Sequence, residues 1–156
     1  MRAAQGLYYK SGPADPFFGK RRPAPLDTAA ELLRGRGVGP ADADAAAFLG
    51  LTSQVPPRWR LAVVGSRPAD IDGVDWVIRK NPARTTLNMT EVAVVELLST
   101  FPYGVEADWD GVIDRVRDLQ ENKKVRLDRI GDVVAMERRK PQLREKFTRL
   151  VTDLDR

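Results

Sequence analysis

The sequence predicts an α+β fold, mostly helical, with a small antiparallel sheet packed on a central helix and amphipathic helices toward the C-terminus. Three observations lead there. Arg58–Val64 and Val74–Arg79 are short runs with strand character, separated by Gly65-Ser66-Arg67-Pro68 and Gly73. Met89–Thr100 is apolar on nearly every side, as a helix in the middle of a core is. Beyond it, Trp109, Val112, Ile113, Val116 and Leu119 repeat at helical spacing, and Leu143, Phe147, Leu150, Val151 and Leu154 do so again.

Taken in order, residues 1–25 read as an extended arm. Gly6-Leu7-Tyr8-Tyr9-Lys10 has a strand's aromatic content, and Pro13, Pro16, Pro23 and Pro25 then forbid helix. The domain proper is expected over 26–156. Its first helix opens at Leu26-Asp27 with Asp27 as N-cap and stops at Gly35-Arg36-Gly37 after Arg34. Pro40 suits the first turn of a second helix, Ala41 to Leu49, with Asp42 and Asp44 at its positive end. The double proline Pro56-Pro57 closes a loop, and the two strands follow. Their connection is too short for a crossover helix, which predicts an antiparallel hairpin. Val74, Trp76 and Ile78 share one face of the second strand. Asn88, with Glu91 three residues on, forms a capping-box pattern for the central helix, and Asp108 caps the next. Leu127, Ile130, Val133 and Val134 form a shorter amphipathic stretch before the helix that begins at Pro141.

Composition narrows the function. The chain of 156 residues has neither Cys nor His. That removes disulfides, thiolate nucleophiles, ordinary zinc sites and any imidazole base. The lack of Cys, of a long apolar run and of a secretory leader points to the cytoplasm and away from membranes. The net charge is +4, unevenly spread: +4 over residues 1–22, −5 over 23–122, +6 over 123–149 and −1 over the last seven. Basic ends around an acidic middle suit a polyanionic or acidic partner.

Asp70/Asp72 imitates a metal-binding pair, since Gly65-Ser66 followed by Asp70-Ile71-Asp72 resembles a nucleotidyltransferase signature. Only three residues separate Ser66 from Asp70, one of them Pro68, so no helix fits between turn and strand. The pair reads as turn residues. Asp42/Asp44, Asp108/Asp110 and Asp153/Asp155 fall where helix ends place acids. Gly35-Arg36-Gly37-Val38-Gly39 follows a helix and lacks the Lys-Ser/Thr of a phosphate loop, so it reads as a helix stop. No catalytic residue, cofactor or metal ligand is assigned, and the chain is expected not to be an enzyme. Candidate nucleic-acid contacts are Lys20, Arg21 and Arg22 on the arm, beside Phe17 and Phe18, and Arg138, Arg139 and Lys140 ahead of Pro141. A candidate partner-binding face gathers Arg58, Arg60, Arg79, Lys80 and Arg84 around the hairpin.

Gly6-Leu7-Tyr8-Tyr9-Lys10, Leu49-Gly50-Leu51-Thr52-Ser53-Gln54-Val55-Pro56, the two strands and Arg79-Lys80-Asn81-Pro82 together resemble the abortive-infection (AbiEi-like) antitoxin family. The resemblance runs from about Gly6 to Leu98, and the octapeptide at 49–56 is its most specific part. It implies a non-enzymatic bacterial antitoxin that neutralises a cognate nucleotidyltransferase-like toxin in phage defence or growth control. It also implies a winged helix that binds operator DNA and represses the module's own genes. The Gly-Leu-Tyr-Tyr stretch normally closes that winged helix, yet here it lies at residue 6, so the helix that reads DNA is expected to be missing and DNA binding to be weak and non-specific. The alternative reading is a nucleic-acid-binding transcriptional regulator that uses its basic N- and C-terminal clusters.

Overall fold

The computed structural model describes residues 24–156 in full and, ahead of them, the backbone of 2–4 and 7–8. Strands β1 (Arg2–Ala4) and β2 (Leu7–Tyr8) pair antiparallel, Arg2 opposite Tyr8. The rest of the arm, with Phe17, Phe18, Lys20, Arg21 and Arg22, lies outside the described residues.

The fold is α+β, predominantly helical around a small sheet. Helix α1 (Ala24–Leu32) starts earlier than predicted, because a proline at position 25 is tolerated in a first turn that needs no N–H from it. Asp27 is therefore inside that turn, where its charge faces the helix dipole, rather than at the N-cap. The chain leaves α1 through Gly35 and Gly37, both with positive φ, and enters a strand absent from the sequence reading, β3 (Gly39–Pro40). Pro40 pairs with Leu61 on this edge strand, where its missing N–H is no loss. It does not start α2 (Ala43–Phe48), which is shorter than expected.

The main sheet is mixed. Its order is β3-β4-β5, with β4 at Trp59–Val64 and β5 at Val74–Arg79. β3 runs antiparallel to β4, but β4 and β5 run parallel, Trp59 beside Val74 and Val64 beside Arg79. The predicted hairpin is thus overturned. A six-residue strand is about 20 Å long, and the nine residues 65–73 reach about 30 Å when extended, so an irregular return needs no helix. Ile71 is buried within that return, and the Trp76 indole donates to the Ala69 carbonyl at 3.3 Å.

Parallel register sorts the side chains. Trp59, Leu61, Val74 and Trp76 meet Leu26, Ala29 and Ile71 in one apolar cluster. Ala62 and Val77, on the other face, join the larger cluster around α3 (Met89–Thr100). A 3-10 turn, Pro82–Thr86, leads into α3 and is capped by Asn81, whose Oδ1 accepts from Ala83 N at 3.1 Å. The capping box of α3 forms as predicted: Asn88 Oδ1 accepts from Glu91 N at 2.8 Å, and Glu91 Oε1 from Asn88 N at 2.9 Å. Residues 91–98 of this helix are all buried, and each of Leu97 and Leu98 contributes about 1.5–3 kcal/mol by leaving water. β3 and α2 pack closely against α3. Helices α4 (Trp109–Glu121), α5 (Leu127–Met136) and α6 (Pro141–Leu154) complete the core with one apolar face each.

Candidate functional site

Three carboxylates and three arginines lie where the sheet, the 3-10 turn and α3 meet. Glu96, on α3, is fully buried and accepts from Arg79 Nη2 at 2.6 Å and from Arg84 Nη1 at 2.9 Å. Arg84, also fully buried, donates through Nε to Glu137 at 2.8 Å, just past α5. Arg79 further bridges to Asp42 at 3.3 Å, and Asp42 holds Arg60 at 3.2 Å. Asp42 has a positive φ of 52°, which turns its own N–H onto Glu96 at 3.2 Å. Its side chain serves these arginines and makes no cap bond to α2. Burial pushes the Glu96 carboxyl up, but the hydrogen bonds and charges of Arg79 and Arg84 outweigh it and hold Glu96 below the usual range. Among the described residues, Arg84 Nη2 is the buried side-chain nitrogen without a hydrogen-bond partner, a loss of about 1–3 kcal/mol for such a donor.

This network consumes the acids beside a cationic cleft. One part of the cleft, about 710 Å³, lies among Ile78, Lys80, Pro82, Met136 and Arg138. A second part, about 430 Å³, lies among Asp42, Thr100, Gln142 and Leu143. Arg79, Arg139 and Lys140 line both, which joins the end of β5 to the α5–α6 connection. Lys80, Arg138 and Arg139 are exposed and Lys140 is half-buried. Among the described residues none of the four has a carboxylate partner.

The octapeptide at 49–56 builds a different surface. The Leu51 carbonyl accepts from Glu106 N at 3.0 Å and Ala107 N at 3.2 Å. Thr52 and Ser53 hydroxyls each donate to Glu106 at 2.9 Å, and these bonds lower the Glu106 carboxyl. The latch leaves a concave shelf of about 420 Å³ lined by Gln54, Val55, Pro56, Pro57 and Gly104. At its edge Val55 is 77% and Tyr103 is 80% exposed, unusual for large apolar side chains.

The five arginines and lysines grouped as one partner-binding face do not share one environment. Arg84 is interior, which withdraws it from any surface role. Arg79 is largely committed to Glu96 and Asp42, Arg60 to Asp42, and Arg58 to Asp75 at 3.0 Å. Only Lys80 remains open, and it joins the Arg138–Lys140 run, a union invisible in sequence because 57 intervening residues separate them. Asp70 is held by Arg67 at 2.7 Å in the β4–β5 return, with Asp72 exposed close by in the same segment. The shelf was missed altogether, although four of its members, Thr52, Gln54, Val55 and Pro56, stand in the octapeptide. Among the described residues no helix is long and apolar enough to cross a membrane.

Fold and surface define an α+β protein with a mixed three-stranded sheet, a cationic cleft and a shelf of mixed polarity edged by Val55 and Tyr103. No family model matches the chain, and no curated protein does. Among solved structures it is similar to the crystal structure of RV2827C protein from Mycobacterium tuberculosis, with 16% identity and a TM-score of 0.44. The match covers 94% of this chain and 55% of that one, so the chain spans little more than half of that protein's length.

Proposed function

We propose that the protein is a non-enzymatic, cytoplasmic antitoxin that neutralises a nucleotidyltransferase-type toxin, with the Val55–Tyr103 shelf as its contact face. The observation that carries the reading is the use made of residues 49–56. The segment most specific to the antitoxin resemblance is anchored through Leu51, Thr52 and Ser53 and presents Val55 outward. Tyrosine is enriched among protein-binding hot spots, and apolar side chains left in water beside it add to a contact surface. In this reading Asp70 and Asp72 have no catalytic part, in keeping with the ion pair between Asp70 and Arg67.

The test is co-expression with the product of the neighbouring gene, scored for growth and for co-purification. Wild type should restore growth and co-purify with the toxin. Val55→Asp combined with Tyr103→Asp should abolish both while leaving the melting temperature within a few degrees, since both side chains are already in water. Full rescue by the double variant would remove the shelf from the reading, and failure of wild type to rescue would remove the antitoxin assignment.

A further inference from the structure

We propose that the cleft between β5 and the α5–α6 connection binds the polyphosphate chain of a nucleotide-sized ligand. The first argument is charge. Lys80, Arg138, Arg139 and Lys140 line the cleft without an ion-pair partner among the described residues, while the two carboxylates in its wall are taken by arginines, Asp42 by Arg60 and Arg79 and Glu137 by Arg84. Elsewhere in the fold Arg58, Arg67, Arg115 and Arg117 each take a carboxylate, and the exposed Arg34, Arg36 and Arg129, which have no such ion pair among the described residues, lie outside the cleft lining. Like charges held together are unfavourable until a counter-charge arrives, and three or four cations suit the charge of a di- or triphosphate.

The second argument is shape. The two parts of the cleft, about 430 and 710 Å³, fall within the range of small-molecule sites, roughly 300–1,000 Å³. Arg79 and Lys140 are half-buried. A flexible phosphate chain can enter a concavity to reach them. A rigid duplex is too wide to enter a concavity of this size and would reach only the exposed Lys80, Arg138 and Arg139. The third argument is the rim. Ile78 and Met136 are 39% and 62% exposed, and with Pro82 they provide an apolar wall for the organic part of the ligand. No aromatic side chain is among the lining residues, so a base would be held without stacking and the phosphates would dominate recognition.

The proposal does not rest on the antitoxin reading, and its test needs no toxin. Tripolyphosphate, ATP, AMP and a 20-base-pair duplex would be titrated calorimetrically into the full chain. Tripolyphosphate and ATP should bind and compete with one another, with AMP at least tenfold weaker. Lys80→Glu with Arg139→Asn should weaken both by at least tenfold. The Lys80 side chain is exposed, and Arg139 has a φ of 60°, where Asn is at ease, so the fold is kept. Reversing Lys124 and Arg129, exposed cations outside the cleft, should leave the affinities unchanged. Absence of tripolyphosphate binding, an equal loss in the control variant, or duplex binding through Lys80 and Arg139 that tripolyphosphate does not displace would overturn the assignment.

Discussion

Arg84 and Glu137 are joined at 2.8 Å inside the fold, across 53 positions of sequence. The bond ties the 3-10 turn ahead of α3 to the connection after α5, directly beneath the cationic run 138–140. It also commits the carboxylate that immediately precedes that run to a buried arginine rather than to the run itself.

Replacing Arg84 with Met should destabilise the protein by about 3–5 kcal/mol, the usual consequence of leaving a buried carboxylate without its partner. Arg84→Met with Glu137→Gln should cost less than the sum of the two single changes, because the second removes the charge that the first strands. Urea unfolding of the four proteins measures this, and strict additivity would mean that the pair is not coupled.

Acid should weaken the fold through α3. Glu91 and Glu96 are pushed up by burial but held below their ordinary value of 4.5 by arginine and backbone donors, chiefly Arg126 for Glu91 and Arg79 for Glu96. Their stabilisation is complete above that ordinary value and is lost as pH falls through the lower folded values. Asp44, raised by burial, works in the opposite sense, but it is one group against four, since Asp75 and Glu106 are also held low. The urea midpoint should hold between pH 7 and 5 and fall as pH drops below the ordinary value of 4.5, and Glu91→Gln should flatten that fall.

The two tryptophans beside α1 should differ. Trp59 is 7% exposed in the second apolar cluster, and Trp59→Ala should cost about 3–5 kcal/mol. Trp76 is only half-buried against the same cluster, so its truncation should cost less than that of Trp59. Chemical denaturation of both variants decides it, and a larger loss at Trp76 would contradict the burial described.

Gly39 sets the approach of β3 to α3. A Cβ there would stand 2.7 Å from both the Met89 carbonyl oxygen and Val92 Cβ, closer than packed atoms come. Gly39→Ala should therefore cost about 1–3 kcal/mol, as overpacking does. By contrast, Gly35→Ala meets no neighbour, and its cost comes from its φ of 64° alone. Thermal melts of the two variants compare these contributions, and an unchanged melting point for Gly39→Ala would show that β3 can move away from α3.

The sequence by itself determined the elements that local chemistry controls. Asn88 and Glu91 marked the start of α3 because a capping box is made within four residues, and the apolar run after them required a central helix. Asp108 and Pro141 marked α4 and α6 in the same way. Strand direction was decided only in three dimensions. A short connection restricts where β5 begins, yet Ile71 in the return is buried against α1, and the parallel register places Trp59, Leu61, Val74 and Trp76 in that same cluster. Pro40 fooled the local reading for a related reason, since an edge strand tolerates proline as well as a helix start does. The roles of the basic residues were settled by tertiary structure too. Nothing in a charge run says whether its counter-ion is nearby, and Arg79 and Arg84 met Glu96 inside the core while Lys80 met Arg138–Lys140 across a cleft. Charge acts through space, so the sequence counted these cations and only the fold assigned them partners.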